Sequence, residues 1–133
     1  MKLENQVCSL ELSQKLLTLG VKQESYFSWL KLQGHHHVWP SSQTNCADCS
    51  AFTVAELGEM LPDSIKADKL FNNGDTTLLD LHGHFIKSSK KDDEYKIYID
   101  GLTKCTIFFS KNEANARAKM LIYLIENKLL TLE

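Results

Sequence analysis

The chain is short of arginine and of long apolar runs, and each shortage argues against a class of function. Arg117 is the one arginine among 15 basic residues, so the sequence lacks the side chain best suited to pair with phosphates and guanines through two hydrogen bonds. The formal net charge is -2 and both signs are mixed along the chain. The longest apolar run, residues 120–125, is too short to cross a bilayer. We therefore expect neither a nucleic-acid partner nor a membrane association.

The first residues also lack the apolar stretch of a secretory signal peptide. Without secretion, the four cysteines, Cys8, Cys46, Cys49 and Cys105, are expected to be reduced thiols rather than a disulfide framework. Together these features predict a cytoplasmic protein.

A length of 133 residues with 43% hydrophobic residues is enough for one core, so we predict a single domain over residues 1–133. Ser9 is placed to cap a helix that runs to about Leu19, and Gly20 to end it. Residues 26–32 are aromatic enough for a strand. The stretch from Gly34 to Ser50 is expected to be a loop or a hairpin. Thr53 and Glu56 have capping-box spacing and open a short helix that Pro62 closes.

The second half of the chain is predicted to form strands followed by one long helix. We expect a turn at residues 72–74, a strand at 76–86 and a solvated loop at 87–93. Residues 94–99 alternate, with Tyr95, Ile97 and Ile99 on the inner face. Asp100-Gly101 predicts a hairpin turn, and the returning strand is expected to turn Cys105, Ile107 and Phe109 inward. The predicted fold is α+β, a mainly antiparallel sheet of about four strands with two short helices and a long C-terminal helix.

That last helix is predicted from Asn112 to Asn127, and its apolar surface is wider than one sheet face normally covers. The stripe at helical spacing comprises Ala114, Ala118, Leu121, Ile122, Ile125 and Leu129, widened by Met120, Tyr123 and Leu124. The preferred interpretation is a helix buried deeply against the sheet. The alternative is that the extra strip packs against a second copy, forming a homodimer, or against a partner protein.

A histidine and cysteine cluster at residues 34–49 is the one segment with the ligand types of a metal site. Cys46 and Cys49, together with His35 or His37, could supply three zinc ligands. A fourth could come from Cys8, or from His82 or His84. The paired spacing of structural zinc sites is incomplete, so a zinc-stabilised domain is the alternative rather than the first prediction, and no metal ligand or cofactor is assigned.

The case for catalysis is weaker still. Cys49 with a histidine base and Asp48 could form a nucleophilic site, which makes a cysteine-dependent enzyme a further alternative. No glycine-rich phosphate loop is present, and the short motif Cys46-x-x-Cys49 precedes its nearest predicted helix by several residues, unlike redox motifs. We therefore predict no catalytic residue and a protein that is not an enzyme.

Four stretches of sequence carry a resemblance. They are MKLENQVCSLEL at residues 1–12, GVKQES at 20–25, SAFTVAELGEMLP at 50–62 and ANARAKMLIYLIENKLL at 114–130. They resemble a widespread group of small, uncharacterised proteins encoded by phages and prophages of bacteria. The resemblance implies an accessory protein of the bacterial cytoplasm, and hence a non-enzymatic protein that binds or inhibits a host macromolecule, such as a defence component. The histidine and cysteine cluster lies outside these stretches.

Overall fold

Three helices and seven strands make up the part of the chain that the structure, a computed structural model, describes: residues 2–62, 64–65, 84–99 and 107–130. In chain order they are α1 (Leu10–Thr18), β1 (Phe27–Leu32), β2 (His35–Pro40), β3 (Cys49–Ala51), α2 (Val54–Met60), β4 (Ser64–Ile65), β5 (His84–Lys91), β6 (Glu94–Ile99), β7 (Ile107–Ser110) and α3 (Glu113–Glu126). Short 3-10 turns lie at Leu3–Asn5 and Ser41–Gln43. The predicted α+β class with a long C-terminal helix is confirmed.

The first helix begins and ends as the sequence predicts. The Ser9 side chain accepts the Leu12 N–H, which satisfies one of the free donors of the first turn. At the other end Gly20 has a φ of +91°, a conformation that costs glycine little. This turn lets the Val21 N–H reach the Leu16 carbonyl at 3.0 Å, and both side chains are buried.

The strands form two antiparallel sheets rather than the single sheet that the sequence predicts. The first has the order β2-β1-β3 and the second the order β4-β5-β6-β7. The segment after Gly34 forms a hairpin strand, because Gln33 and Gly34 take φ values of +51° and +84° and join β1 to β2 in a two-residue turn. Alternation of apolar and polar residues identifies a strand but does not show which strand pairs with it. The division into two sheets therefore could not be predicted from the sequence.

The prediction of a solvated loop at residues 87–93 is wrong for most of that segment. Strand β5 continues to Lys91, and Asp92 and Asp93, with φ values of +52° and +62°, make the turn to Glu94. Residues Ser88 to Lys91 are exposed, so this end of the strand has no apolar alternation to reveal it. The predicted turn at 72–74 and most of the predicted strand at 76–86 lie outside the described residues.

The pairing of β6 with β7 corrects the face predicted for the last strand. Ile97 and Ile99 are buried as expected. Ile97 lies opposite Phe108, and residues opposite each other share a face. Phe108 therefore packs against the core, whereas Phe109 is 48% exposed. Cys105 and the predicted Asp100-Gly101 turn lie outside the described residues.

Helix α3 occupies the centre of the larger core. The Asn112 side chain caps it by accepting the N–H groups of Ala114 and Asn115. It contacts α1, α2, β6 and β7. Its buried side chains are Ala114, Ala116, Ala118, Met120, Leu121, Ile122 and Leu124. Met120 and Leu124 are fully buried within a single chain. Two of the three residues of the extra strip that suggested a homodimer are therefore covered by the chain's own core.

Two neighbouring leucines of α1 offer a matched test of this core. Leu16 is fully buried and Leu17 is 42% exposed. We expect Leu16→Ala to lower the free energy of unfolding by about 2–5 kcal/mol, since it leaves a cavity. Leu17→Ala should change it by less than about 0.5 kcal/mol, as surface substitutions do. Urea denaturation of both variants measures the difference, and equal losses would contradict the assigned helix face.

Asn112 has two roles that substitution can separate. Its Nδ2 donates to the buried Val7 carbonyl at 2.9 Å, while its Oδ1 caps α3. Asn112→Ser keeps a capping oxygen but loses the bond to Val7, and we expect it to cost about 1–3 kcal/mol. Asn112→Ala should cost about 1 kcal/mol more, because the cap is also lost. Thermal and urea unfolding of the pair check the ranking, and a serine variant as unstable as the alanine variant would argue against the cap.

Candidate functional site

The histidine and cysteine residues predicted as zinc ligands fall on opposite faces of the first sheet. Cys49 lies opposite Trp29 in the register of β3 and β1, and Trp29 lies opposite Val38 in the register of β1 and β2. All three side chains belong to one buried cluster and share a face of the sheet. Successive side chains of a strand alternate between faces. His35 and His37 therefore project from the face opposite to Val38, on the same side as each other but away from Cys49.

The remaining predicted ligands do not close the site. Cys46 is exposed in the loop before β3, and His36 pairs with Asp48, with 3.3 Å between Nε2 and Oδ2. Within the described stretches of the chain, no three His, Cys, Asp or Glu side chains form a group that could hold a metal ion. His82 and the side chain of His84 lie outside them. Thus His35, His37, Cys46 and Cys49 are not brought together as one ligand set.

The two buried thiols are poor nucleophiles in this environment. Burial raises the pKa of Cys8, whose sulfur lies 2.9 Å from the Ser13 hydroxyl. Burial also raises the pKa of Cys49 to about 11, with Cys8 and Asp48 adding smaller contributions in the same direction. Since the thiolate is the reactive form, Cys49 is almost entirely the protonated thiol at neutral pH. The hypothesis of a Cys49 nucleophile gains no support from this geometry.

A groove lies between α1, β7 and α3. Its volume is about 640 Å³, within the range of about 300–1,000 Å³ typical of binding clefts. Leu12, Phe108, Ile122 and Tyr123 supply its apolar surface. The rings of Phe108 and Tyr123 lie 5.7 Å apart and build one wall. We call this feature the α1/α3 groove.

Charged side chains surround the α1/α3 groove: Glu11, Lys15, Lys119 and Glu126. Lys15 and Glu126 pair across it at 3.7 Å, near the ends of the two helices. Lys119 Nζ donates to the Phe109 carbonyl of β7 at 3.0 Å. Glu11 makes no ion pair within the described residues. The rim thus has one compensated pair, one lysine bound to backbone and one carboxylate without a counter-charge.

The helices that form the groove run side by side because their first turns are joined. The Ser9 N–H donates to Asn115 Oδ1 at 2.7 Å, and Lys15 meets Glu126 further along. Sequence reasoning placed Leu12 and Ile122 on apolar faces but assigned no site there. The i,i+4 spacing of Glu11 and Lys15 was a visible signal of an exposed helix edge, but nothing in the sequence paired that edge with α3.

Comparison with known proteins identifies no relative. The sequence matches no family model and no curated protein, and the fold matches no solved structure. No helix in the described ranges is both long and apolar enough to cross a membrane.

Thiol labelling tests the contrast between the exposed and the buried cysteines. At pH 7 we expect iodoacetamide to modify Cys46 quickly and to leave Cys49 unmodified until the protein is unfolded. Labelling of Cys49 should accelerate as the pH rises towards about 11, because the thiolate fraction grows. Peptide mass spectrometry assigns each modified cysteine, and Cys46→Ser is the control that removes the fast site. Rapid modification of Cys49 at pH 7 would revive the nucleophile hypothesis.

Proposed function

We propose that the protein is a non-enzymatic binding protein that recognises a partner protein through the α1/α3 groove. The observation that carries this proposal is the combination of a large cleft with an apolar surface and a charged rim. Grooves between helices bind amphipathic segments by taking apolar side chains as anchors, while charges at the rim select the partner.

The charges of the rim indicate what the partner segment presents. Lys15 and Glu126 compensate each other, which leaves the negative charge of Glu11 on α1 and the positive charge of Lys119, whose Nζ donates to the Phe109 carbonyl. A partner with apolar anchors and a lysine or arginine opposite Glu11 would match this rim. The resemblance of four stretches of the sequence to phage and prophage proteins favours a protein of the bacterial host as that partner, met in the cytoplasm.

The groove also has a chemical composition that favours binding over catalysis. Its lining contains no cysteine, and it contains no histidine, the side chain that most often acts as a general acid or base. The two buried thiols of the described chain lie elsewhere and have raised pKa values. A zinc-stabilised domain, the alternative predicted from sequence, has no specific observation in its favour among the described residues.

Site-specific photo-crosslinking in bacterial cells tests the proposal. A photoreactive side chain at position 119, on the groove rim, should capture a defined host protein. The same probe at Lys31, an exposed residue of β1 outside the groove, is the positional control. Glu11→Lys, introduced with the probe at position 119, should lower the yield at least about fivefold, since it places a like charge against a basic partner.

The matched charge control is Glu4→Lys, which makes the same change at an exposed residue that does not line the groove. It should leave the yield within about twofold, because its charge lies outside the groove lining, on an exposed residue where salt screens it. Equal capture from positions 31 and 119, or a yield insensitive to Glu11→Lys, would overturn the proposal. An adduct of twice the chain's own mass would instead identify a second copy as the occupant and exclude a host partner for this groove.

A further inference from the structure

The one arginine of the chain lies at a cavity separate from the α1/α3 groove. Arg117, on α3, lines a space of about 200 Å³ between that helix and strands β5 and β6. A water molecule occupies about 30 Å³ of liquid, so the space can hold a small polyatomic ion with some of its water. Ser88, Lys90, Tyr95 and Lys96 line the strand side of this space, which we call the Arg117 cavity.

The guanidinium of Arg117 retains unused hydrogen-bonding capacity. Its Nη2 donates to Glu113 Oε1 at 3.2 Å, and Glu113 lies one turn earlier on the same helix. Arginine has five N–H donors, and the Nε of Arg117 is buried with no acceptor among the described residues. Because a buried donor without an acceptor is costly, a ligand that accepts from this guanidinium would recover lost free energy.

A glycine in the neighbouring helix makes room for this arginine. A Cβ added at Gly58 of α2 would lie 2.9 Å from Arg117 Nη1, closer than real Cβ contacts allow. Glycine inside a helix is unfavourable relative to alanine, so α2 is less stable than it could be at this point. The absent side chain leaves the guanidinium room to lie against α2.

The strands contribute the hydroxyl group of Ser88 and the ammonium group of Lys90, both on the face of the hairpin that faces α3. Ser88 lies opposite the buried Ile97, and Lys90 lies opposite Tyr95, so both project from the inner face of the hairpin. Lys90 Nζ lies over the Tyr95 ring, 5.1 Å from its centroid, which holds the lysine beside the cavity. Lys96 lies opposite Ser89, and its Nζ lies over the Tyr98 ring on the outer face. The charged side chains that face the cavity are therefore Arg117, Lys90 and Glu113, an excess of one positive charge.

From this arrangement we propose that the Arg117 cavity binds a phosphoryl dianion, with Arg117 and Lys90 as charged donors and Ser88 as a hydroxyl donor. A phosphate monoester has a charge of about −1.5 to −2 at pH 7, opposite in sign to the net charge of the side chains that face the cavity. Guanidinium pairs with phosphate through parallel hydrogen bonds. This site is independent of the α1/α3 groove and shares no lining residue with it.

Titration of the full chain with inorganic phosphate tests the site. Binding is measured by isothermal calorimetry and by the NMR shifts of the Ser88 and Lys90 amides. We expect saturable binding of phosphate that acetate does not reproduce. Arg117→Gln should raise the Kd about tenfold or more, the usual effect of losing charge-assisted hydrogen bonds. Lys90→Gln should raise the Kd about threefold, because a more exposed charge contributes less to binding.

Two further variants keep the test independent of folding defects. Lys91→Gln removes the same charge from the next residue of β5, which does not line the cavity, and should leave the Kd within about twofold. Gly58→Ala preserves every charge but displaces the guanidinium, and should weaken phosphate binding while α2 gains helix propensity. Circular dichroism confirms that each variant folds.

A second titration, with O-phosphoserine, distinguishes the sources of the phosphoryl group. Tighter binding of phosphoserine than of phosphate would assign the cavity to a phosphorylated side chain or ester, and equal or weaker binding to free phosphate. Either ranking supports the site. Acetate binding as tightly as phosphate, an effect of Lys91→Gln equal to that of Arg117→Gln, or no saturable binding would overturn the proposal.

Discussion

The rest of the described structure depends on the three residues Val7, Cys8 and Ser9, whose backbone groups join elements from distant parts of the chain. The Val7 carbonyl accepts from Asn112, and Val7 pairs with Thr53 in an antiparallel bridge. Cys8 donates to Phe52 at 3.0 Å and accepts from Trp29 Nε1 at 3.1 Å. Ser9 donates to Asn115. Buried backbone groups must be paired somewhere, and here their partners lie on the starts of α2 and α3 and on β1.

This arrangement explains why the molecule has two hydrophobic clusters that act together. Val7 belongs to the cluster with Trp29 and Val38, whereas Cys8 belongs to the larger one around α3. The alternation of a single extended segment sends neighbouring side chains to opposite sides. The α1/α3 groove follows from the same geometry, because the bond from Ser9 to Asn115 places the start of α1 beside the start of α3.

The proposed functional surfaces differ in how much of them could be predicted. Leu12 and Ile122 were recognisable as members of apolar stripes, yet the groove needs Phe108, whose face was assigned incorrectly. The zinc hypothesis assumed that ligands close in sequence are close in space, but β-sheet alternation separates His35 and His37 from Cys49. Arg117 stood out in the sequence only for its rarity. The position of its guanidinium depends on Gly58, 59 positions away along the chain, because the missing side chain of Gly58 leaves room for Arg117.

The sequence by itself determined what is decided within a few residues: the caps at Ser9, Thr53 and Asn112, the Gly20 helix end and the alternation of β6. These depend on hydrogen bonds and backbone preferences that one turn of chain satisfies alone. Only the tertiary structure decided the division into two sheets, the inward face of β7 and the place of Arg117. Each of these depends on which strand or helix lies alongside, and that choice is made by burying apolar surface over the whole chain rather than by any local pattern.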